Sequence, residues 1–309
     1  MLKTIFSRVT QTIVVVFLLV TFVFFAVRAI PGNPFASEKA LAPEEQAALE
    51  RQYGLDKPIS IQYFNYWKNI LTEGDFGYSL AMKGRKVSTI ISESFPVSLK
   101  LGVLSLILGM GLGIPLGILA ALFHNRWQDY AAMVIAMAGI CIVAFVLGPI
   151  FQLSIARPLS VLNVAGWSRP ADIILPSVTL CFGVAAYLAR LTRGGMLDVL
   201  SQDYIRTARA KGVPTLQIIT KHALRPALMP AVTFLGPAFA GIITGSFVVE
   251  NIFLVPGMGK HFVLGITSND YNLVLGLVLF YGILMGIANL LSDLALIFMD
   301  PKLLNSQLP

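Results

Sequence analysis

Charged side chains are scarce in this chain of 309 residues. Asp, Glu, Lys and Arg make up 13% of it, hydrophobic residues make up 56%, and the mean hydropathy is +0.76. A water-soluble domain carries about 25% charged residues, so this composition excludes an ordinary soluble globular protein. Six stretches contain no charged residue at all: 9–27, 101–123, 130–156, 173–189, 226–249 and 271–292. Each is close to the roughly 20 residues that a helix needs to cross a membrane, and we predict an all-α polytopic membrane protein with six transmembrane helices.

Motifs of enzymatic chemistry are missing as well. The three histidines, His124, His222 and His261, lie far apart, and none belongs to an HExxH zinc motif. The sequence contains no GxSxG nucleophile elbow and no GxxxxGK[ST] loop for nucleotide phosphates. Its two cysteines, Cys141 and Cys181, lie within apolar stretches and form no CxxC pair. We therefore expect no catalytic residue, metal or cofactor in this chain. A transporter built from it would draw its energy from a separate subunit or from an ion gradient.

Use of an ion gradient normally requires ionisable residues within the spans, and these are sparse. Glu250 and Asp293 lie only near the ends of the fifth and sixth stretches. Asp129 and Asp172 stand at helix starts, where capping of the helix explains them. A gradient-driven secondary carrier is therefore the less favoured alternative to a transporter that another subunit powers.

The Lys and Arg residues of short loops indicate the orientation in the membrane. If the N-terminus is cytoplasmic, the cytoplasmic segments carry Lys3, Arg8, Arg126, Arg190, Arg193, Arg206, Arg209, Lys211, Lys221, Arg225 and Lys302. The short outside loops carry only Arg157, Arg169 and Lys260. We therefore predict that both termini are cytoplasmic and that the first apolar stretch is a retained helix and not a cleaved signal peptide.

One long loop, about residues 29–96, then lies outside the membrane and has the composition of folded structure. Pro43 opens and Gly54 ends a predicted short helix. Aromatic side chains suited to the lipid headgroup level follow at Tyr63, Tyr66 and Trp67. The predicted domains are 1–94 with the first transmembrane helix and the extracytoplasmic loop, 95–302 with the other spans and a cytoplasmic loop at 190–225, and a cytoplasmic tail at 303–309.

The cytoplasmic loop at 190–225 also has the pattern of folded structure. Apolar residues recur at helical spacing on one face, at Leu197, Leu200, Tyr204 and Ala208. Gly212 is placed to end this helix, and Pro214 to open a second one that carries Leu216, Ile219 and Ala223. Two interpretations stay open on this pattern alone: an amphipathic hairpin that lies on anionic lipid, or a rigid docking element for a cytoplasmic partner.

Short strings of sequence carry a family resemblance over nearly the whole chain. YIRTARAKG at 204–212 and KHALRP at 221–226 resemble the EAA loop of binding-protein-dependent ABC importer permeases, in the form typical of the branch that imports peptides and nickel complexes. Further strings in the family's order are RAIPGNP at 28–34, YGLDKP at 53–58, QY at 62–63, GDFGYS at 74–79, ENIF at 250–253, PGMG at 256–259 and DPK at 300–302.

This resemblance implies a function and a set of partners. The fold would be that of a type I importer permease, with the type-1 transmembrane domain at 95–302, in the bacterial inner membrane. The chain would pass peptides, with oligopeptides favoured over dipeptides, glutathione or nickel complexes, from an extracytoplasmic binding protein into the cytoplasm. It would pair with a homologous second permease subunit and with two ABC ATPase subunits, which bind ATP and Mg. Membrane lipid is an expected contact and nucleic acid is not.

Three sets of candidate site residues follow. The coupling helix that would dock on the ATPase comprises Asp203, Tyr204, Arg206, Thr207, Ala208, Arg209, Ala210, Lys211 and Gly212, where we expect positive φ at the glycine. Small and polar residues of the fifth span are assigned to the translocation path: Gly241, Thr244, Gly245, Ser246 and Glu250. A proline and two glycines prevent a helix after that span, and the outer gate is placed at Phe253, Pro256, Gly257 and Gly259.

The sequence departs from the family pattern at two places. Val143 and Ala144 stand in the third span where the family usually has Pro and Ser before Phe145, which leaves open whether that span is kinked. The outside loop at 157–172 is shorter than in close relatives. Both departures lie near the outer mouth, where they would affect the choice of substrate.

Overall fold

Helices make up most of the protein in this computed structural model, which describes residues 2–29, 43–82, 84–158 and 162–299. Residues 30–34 of the RAIPGNP string, the DPK string at 300–302 and the tail at 303–309 lie outside the described residues. The helices are α1 Leu2–Ala29, α2 Pro43–Gln52, α3 Ile59–Glu73, α4 Val87–Leu122, α5 Trp127–Cys141, α6 Ala144–Phe151, α7 Ile174–Leu200, α8 Asp203–Ala210, α9 Thr215–Gln217, α10 Leu224–Ala227, α11 Met229–Gly245, α12 Phe247–Ile252, α13 Met258–Thr267 and α14 Tyr271–Met299.

Five helical segments are long and apolar enough to cross a membrane. They are Phe6–Ala29, Val87–Leu122, Pro170–Leu200, Met229–Ile252 and Tyr271–Met299. A sixth span is formed if the pair Trp127–Cys141 and Ala144–Ala156, bent by 100° at its break, is counted as one. The prediction of an all-α membrane protein is thus confirmed for the described part of the chain, with five apolar spans, or six if the bent pair is one span.

The third span is sharply kinked although it has no proline at the break. Ile142 and Val143 both have extended backbone angles, with φ/ψ of −84°/109° and −67°/140°. Close packing holds both halves: a Cβ added at Gly139 would lie 3.2 Å from the Phe182 carbonyl oxygen, and one at Gly148 would lie 3.2 Å from Ile252. The sequence left open whether the third span is kinked. The structure shows that it is, with close packing on both sides of the kink.

The chain divides into two compact units. The first consists of Met1–Val9, Leu99–Val255 and Met285–Pro309, and the second of Thr10–Ser98 and Pro256–Leu284. In the first unit, α4 and α7 approach closely where α4 has glycines. A Cβ added at Gly117 would lie 2.5 Å from the Ala189 carbonyl oxygen, and one at Gly113 would overlap the Ala185 carbonyl. The predicted domain boundary between residues 94 and 95 stays a prediction from sequence.

Aromatic side chains pack α3 on α1 in the second unit. The ring centroids of Tyr63 and Phe24 lie 5.2 Å apart, and those of Trp67 and Phe17 lie 5.0 Å apart. Tyr66 and Trp67 also pack against a cluster formed by Val16, Val20 and Leu279. The aromatic residues predicted for the headgroup level are therefore partly buried against the first span.

A buried carboxylate joins the loop before α4 to the start of α14. Asp270 Oδ2 accepts hydrogen bonds from Ser79 Oγ at 2.5 Å and from the Ala81 N–H at 3.0 Å. Its Oδ1 accepts a bond from the Leu273 N–H at 3.0 Å, which caps α14. This aspartate belongs to the structural framework of the second unit, because three of its bonds hold backbone or loop groups in place.

Helix α4 already begins at Val87, within the segment 29–96 that the sequence assigns to the outside loop. Val87 and Ile90 are fully buried, and Pro96 lies inside the helix. Proline is tolerated inside a helix of a membrane protein where neighbouring groups satisfy the freed carbonyl. At 36 residues, α4 is about 54 Å long and exceeds the hydrocarbon thickness of a bilayer.

Candidate functional site

The predicted coupling helix is α8, and one side chain anchors it. Ile205 is completely buried in a cluster with Met196, Ile218, Ala223 and others, at the ends of α4 and α7. Ala208 is half-buried against the same cluster, and the other residues of α8 are exposed. A short helix held by one apolar anchor thus presents nearly its whole remaining surface outward.

Gly212 ends this helix with the predicted backbone conformation. Its φ is +76°, so the expectation of positive φ is confirmed. The Val213 N–H donates to the Ala208 carbonyl at 3.2 Å, and the Gly212 N–H donates to the Arg209 carbonyl at 3.0 Å. This is the Schellman arrangement of a helix end, and Val213 packs on the Ile205 cluster as that motif requires. Glycine is favoured here by the backbone, since no heavy atom would lie within 4 Å of an added Cβ.

The exposed surface of the helix carries mostly positive charge. Arg206, Arg209 and Lys211 are exposed, and only Asp203 opposes them. Asp203 and Arg206 form an ion pair, with 3.5 Å between Oδ1 and Nη1, and both are highly exposed. A pair of this kind contributes little to stability, so these charges are available to an acidic partner surface.

The second half of the loop returns to the membrane as a stiff segment. It runs through α9, a π-helical turn at Ile218–Ala223, and α10. Gly195 of α7 lies against the Ala227 carbonyl so closely that no Cβ would fit there. At the other side, Arg225 Nη2 donates to the Phe298 carbonyl at 2.9 Å and so caps the end of α14. We call the segment 203–227 the bracket.

A buried ion pair lies where α5 meets α7. Asp129 Oδ1 accepts from Arg193 Nε at 2.6 Å, and its Oδ2 accepts from Arg193 Nη2 at 2.7 Å. Oδ2 also accepts from the Asn125 N–H at 3.0 Å, and His124 Nδ1 lies 3.4 Å away. The bidentate geometry with a buried carboxylate is the strong form of the arginine–carboxylate interaction. It connects the α4–α5 loop to the helix that leads into the bracket.

The predicted path residues of the fifth span differ in their exposure to solvent. Gly241 is exposed and Thr244 is half-buried, with its hydroxyl donating to the Ala240 carbonyl at 2.9 Å; Gly245 ends α11. Ser246 and Glu250 are buried, and Ser246 Oγ donates to Glu250 Oε1 at 2.7 Å. These two side chains thus lie in the protein interior in this structure, and their assignment to the translocation path stays a prediction.

The predicted gate residues Phe253, Pro256 and Gly257 lie in the turn between α12 and α13, and Gly259 lies in the first turn of α13. Phe253, Gly257 and Gly259 are buried, whereas Pro256 is exposed. The Phe253 carbonyl accepts from the Gly166 N–H at 2.8 Å, within the first unit. The expected break in the helix is confirmed between Phe253 and Gly257, but it is wrong for Gly259, which lies in α13.

Leu254 lies in this turn with a positive φ angle, a backbone conformation that leucine rarely adopts. Its φ is +54° and its side chain is 68% exposed. The Val255 N–H donates to the Glu250 carbonyl at 2.8 Å, so the turn has the bond pattern that glycine usually completes. A bulky residue at positive φ costs about 1 kcal/mol, and such positions often have a functional role.

Family profiles match this chain over most of its length. The profile of the binding-protein-dependent transport system inner membrane component matches residues 113–305, and the profile of the N-terminal part of such membrane components matches residues 1–102. The chain belongs to this family. The resemblance noted in the permease's sequence is therefore confirmed.

Named relatives align with the permease over nearly its full length. The oligopeptide transport system permease protein OppB of Haemophilus influenzae is 44% identical over 305 residues, which is 98% of this chain and 99% of that protein. The protein of the same name from Escherichia coli K12 is also 44% identical, with the same coverage. The dipeptide transport system permease protein DppB of Bacillus subtilis is 42% identical over 298 residues, 96% of each chain.

A solved structure confirms the fold of the permease. An inward-facing structure of the MetNI methionine ABC transporter matches it with a TM-score of 0.58 and 19% sequence identity. The match covers 68% of this chain and 96% of the other. The type I importer permease fold predicted from the sequence is thus confirmed, and the permease is a multi-pass protein of the inner membrane.

One helix of the loop at 190–225 was predicted wrongly. The periodic face that joins Leu197 and Leu200 to Tyr204 and Ala208 is not one helix, because α7 ends at Leu200 and α8 begins at Asp203. Gln202 is extended between them and turns the chain, so Ile205 takes the buried position and Tyr204 is exposed. Leu216 is exposed as well, because the π-helical turn buries Ile218 and Ile219 in its place.

The sequence of the permease did not predict the ion pair of Asp129 and Arg193. Asp129 was explained as a helix cap and Arg193 was counted only among the bases of the cytoplasmic loop. The two residues are 64 positions apart, so no local spacing predicts their contact. Asp172 does act as a cap, since it accepts from the N–H groups of Ser168 and Arg169 at 2.7 and 2.8 Å.

Proposed function

We propose that this permease is the non-hydrolytic membrane subunit of an ATP-driven importer that passes peptides from an extracytoplasmic binding protein into the cytoplasm. The single observation that carries the mechanism is the anchoring of α8 by Ile205 while its other side chains stay exposed. A helix presented in this way is suited to enter a cleft of a partner. Its short Ala210 and basic Arg209 match a cleft with an acidic rim.

The docking partner in this proposal is an ATPase subunit that binds ATP and Mg. Two such subunits and a homologous second permease would complete the membrane assembly. Force would reach the spans through the bracket, because Gly195 packs directly on its Ala227 carbonyl and Arg225 bonds to the end of α14. Each partner has only to bind one conformation better than the other to drive alternating access.

The proposed substrate class is peptides, and oligopeptides are preferred over dipeptides. The relatives at 44% identity bear the name of oligopeptide permeases, and a dipeptide permease follows at 42%. Glutathione and nickel complexes remain the alternative substrates within this branch. A gradient-driven carrier is the alternative mechanism, and the pairing of Asp293 with Arg8 at 3.3 Å gives that aspartate a structural role instead.

Further roles in this proposal belong to the fifth span and to the turn after it. Gly241 and Thr244, which are not closed off by the chain itself, would border the translocation path. Ser246 and Glu250 would join the path only in another conformation. The turn that contains Phe253, Pro256 and Gly257, together with Gly259 at the start of α13, would close the outer mouth.

Reconstitution tests the proposed function. The permease would be co-purified with its candidate partner permease, ATPases and binding protein, and labelled peptides of two to six residues would be offered to proteoliposomes. We expect uptake that requires ATP and the binding protein, that a protonophore does not inhibit, and that a variant Ile205→Asp abolishes. A matched control is Ile266→Asp, because Ile266 is exposed on α13. Uptake by the permease alone, driven by a proton gradient, would contradict the proposal.

A further inference from the structure

The second compact unit contains a polar cavity of about 370 Å³. It is formed by the end of α1, by α2 and α3, by the loop after α3 and by the start of α14. Its volume lies in the range of sites for small ligands. Side-chain amides that can both donate and accept hydrogen bonds line it at Gln62, Asn65, Asn69 and Asn272.

Positive charge prevails among the side chains of this cavity. Arg28, Arg51 and Lys57 line it, and of the described lining residues Asp75 alone carries a carboxylate. That carboxylate is already engaged, since it accepts from the Gly77 N–H at 3.0 Å and from Lys86 Nζ at 3.3 Å. The cavity is therefore suited to an anion.

Arg28 is held in place for binding. Its Cζ lies 3.6 Å from the ring centroid of Phe24 and 5.5 Å from that of Tyr271. Its Nε donates to Gln62 Oε1 at 3.1 Å, and its Nη1 donates to the Phe24 carbonyl at 3.3 Å. A guanidinium has five N–H donors, and one fixed by stacking and by hydrogen bonds loses little entropy when it binds an oxyanion.

A buried hydroxyl supports the same interpretation. Tyr66 lines the cavity, and its Oη is buried without a hydrogen-bond partner among the described residues. A buried polar atom without a partner costs free energy, which a ligand that accepts its hydrogen bond would recover. Burial raises the pKa of Tyr66, so its hydroxyl stays protonated and is a donor.

The depth of the cavity indicates the source of the anion. Arg28 is the penultimate residue of the span Phe6–Ala29, so the cavity lies where that span leaves the hydrocarbon. Next to it, α3 exposes Ile61, Phe64 and Leu71 at helical spacing, with Phe64 71% and Leu71 78% exposed. An apolar face of this kind suits the boundary between headgroups and acyl chains.

We propose that this cavity binds the phosphodiester oxyanion of an anionic phospholipid headgroup, with Arg28 as the charged ligand and the Tyr66 hydroxyl as a hydrogen-bond donor. Bidentate arginine contacts match the geometry of phosphate oxygens. The amides of Asn65 and Asn69 can bond to the alcohol groups of a glycerol headgroup. This site is independent of peptide transport and goes beyond the proposed function.

Lipid titration of the purified full-length chain tests the proposal. The delipidated protein in neutral detergent is titrated with short-chain phosphatidylglycerol, phosphatidylcholine, glycerol phosphate, inorganic phosphate or a tripeptide, and bound ligands are counted by native mass spectrometry. We expect one phosphatidylglycerol that binds about tenfold more weakly to Arg28→Gln and several-fold more weakly to Tyr66→Phe, since each change removes a hydrogen bond to the anion. Arg126→Gln, which removes an exposed charge outside the cavity, is the matched control and should bind as the wild type does.

The outcomes separate the sources of the anion. Tight binding of phosphatidylglycerol with this dependence on the variants supports the lipid headgroup. Equally tight binding of glycerol phosphate or inorganic phosphate, lost in the same variants, supports the oxyanion site but overturns its assignment to lipid. Binding of the tripeptide alone, or the same lipid count in wild type and in Tyr66→Phe, overturns the proposal. Tyr66→Phe keeps the ring and the packing, so it decides the question even if Arg28→Gln fails to fold.

Discussion

Gly212 combines open surroundings with a backbone conformation that favours glycine. With φ at +76° and no heavy atom within 4 Å of an added Cβ, any side chain is strained by the backbone and not by crowding. We expect Gly212→Val to cost about 1–2 kcal/mol locally and to tilt α8 on its Ile205 anchor. In the reconstituted complex, assembly should persist while peptide uptake falls at least tenfold relative to ATP hydrolysis.

The matched control for this change is Gly194→Val. Gly194 lies inside α7, lacks positive φ and also has open space around its Cβ position. Valine there should leave the ratio of uptake to hydrolysis unchanged, because it fits a helix better than glycine does. Wild-type coupling in Gly212→Val would show that the end of α8 does not transmit force.

Asp129 and Asp203 both pair with an arginine, but their surroundings predict opposite outcomes. Asp129→Asn leaves Arg193 without its buried bidentate carboxylate, and we expect a loss on the order of 2–3 kcal/mol of stability. Asp203→Asn breaks an exposed pair with Arg206 and should leave stability unchanged. Thermal unfolding in detergent, in a background with Cys141 replaced by serine and followed by the fluorescence of a thiol-reactive dye at the buried Cys181, measures both. Equal melting temperatures of the two variants would contradict the structural role of the Asp129 pair.

At the scale of the elements, the backbone angles in the third span predict where a proline would be tolerated. Val143 has φ −67°, and the residue before it has φ −84° and ψ 109°, which are angles that proline and its preceding residue adopt. We therefore expect Val143→Pro to be tolerated and to stabilise the protein by about 0.4–1 kcal/mol through the unfolded state. Met137→Pro, at an exposed position inside α5, should instead cost about 3 kcal/mol. The ranking of the two melting temperatures checks this, and a destabilised Val143→Pro would contradict the kink geometry.

The reactivity of single cysteines tests which residues of the fifth span are accessible to water. In a background with Cys141 and Cys181 replaced by serine, Thr244→Cys should react with a water-soluble maleimide when the complex is open to one side. Ser246→Cys should react at least tenfold more slowly in the absence of nucleotide, because Ser246 is buried against Glu250. Equal rates at the two positions would show that the buried pair is not closed off from water.

Element boundaries show what local sequence could predict. Gly54 and Gly212 end helices as expected, because their effect on the backbone is local. The break at Gln202 was missed because Leu197, Leu200 and Tyr204 keep helical spacing across it. The kink at Val143 was left open because it depends on packing against Phe182 and Ile252, which lie far away in the sequence.

At the scale of the whole molecule, the apolar spans were predictable and the contacts between them were not. The absence of charge from six stretches determines which segments enter the membrane. The contact of Asp129 with Arg193 joins residues that are far apart in the sequence, and so does the cavity around Arg28. No local sequence pattern predicts that these residues lie close together. The helix at Asp203–Ala210 could be predicted because its string is local and specific to the family.

Orientation in the membrane is a prediction for the entire chain. The distribution of Lys and Arg predicts that Arg126 and Arg209 face the cytoplasm and that Arg157 and Lys260 face the outside. Single cysteines at these four positions, in a chain without Cys141 and Cys181, would be treated with an impermeant maleimide in intact cells. We expect labelling at 157 and 260 at once, and at 126 and 209 only after the membrane is permeabilised. The reverse pattern would place both termini outside.

The length of α7 has a mechanical consequence. This helix of 27 residues is an unbroken rod of about 40 Å, and it meets the bracket at one end through the close contact of Gly195 with Ala227. A tilt of roughly five degrees at the bracket end would sweep the opposite end through about 3–4 Å, since displacement is proportional to the length of the rod. In the proposed mechanism, a small rotation imposed on α8 would move the far end of α7 by a distance comparable to the width of a water molecule.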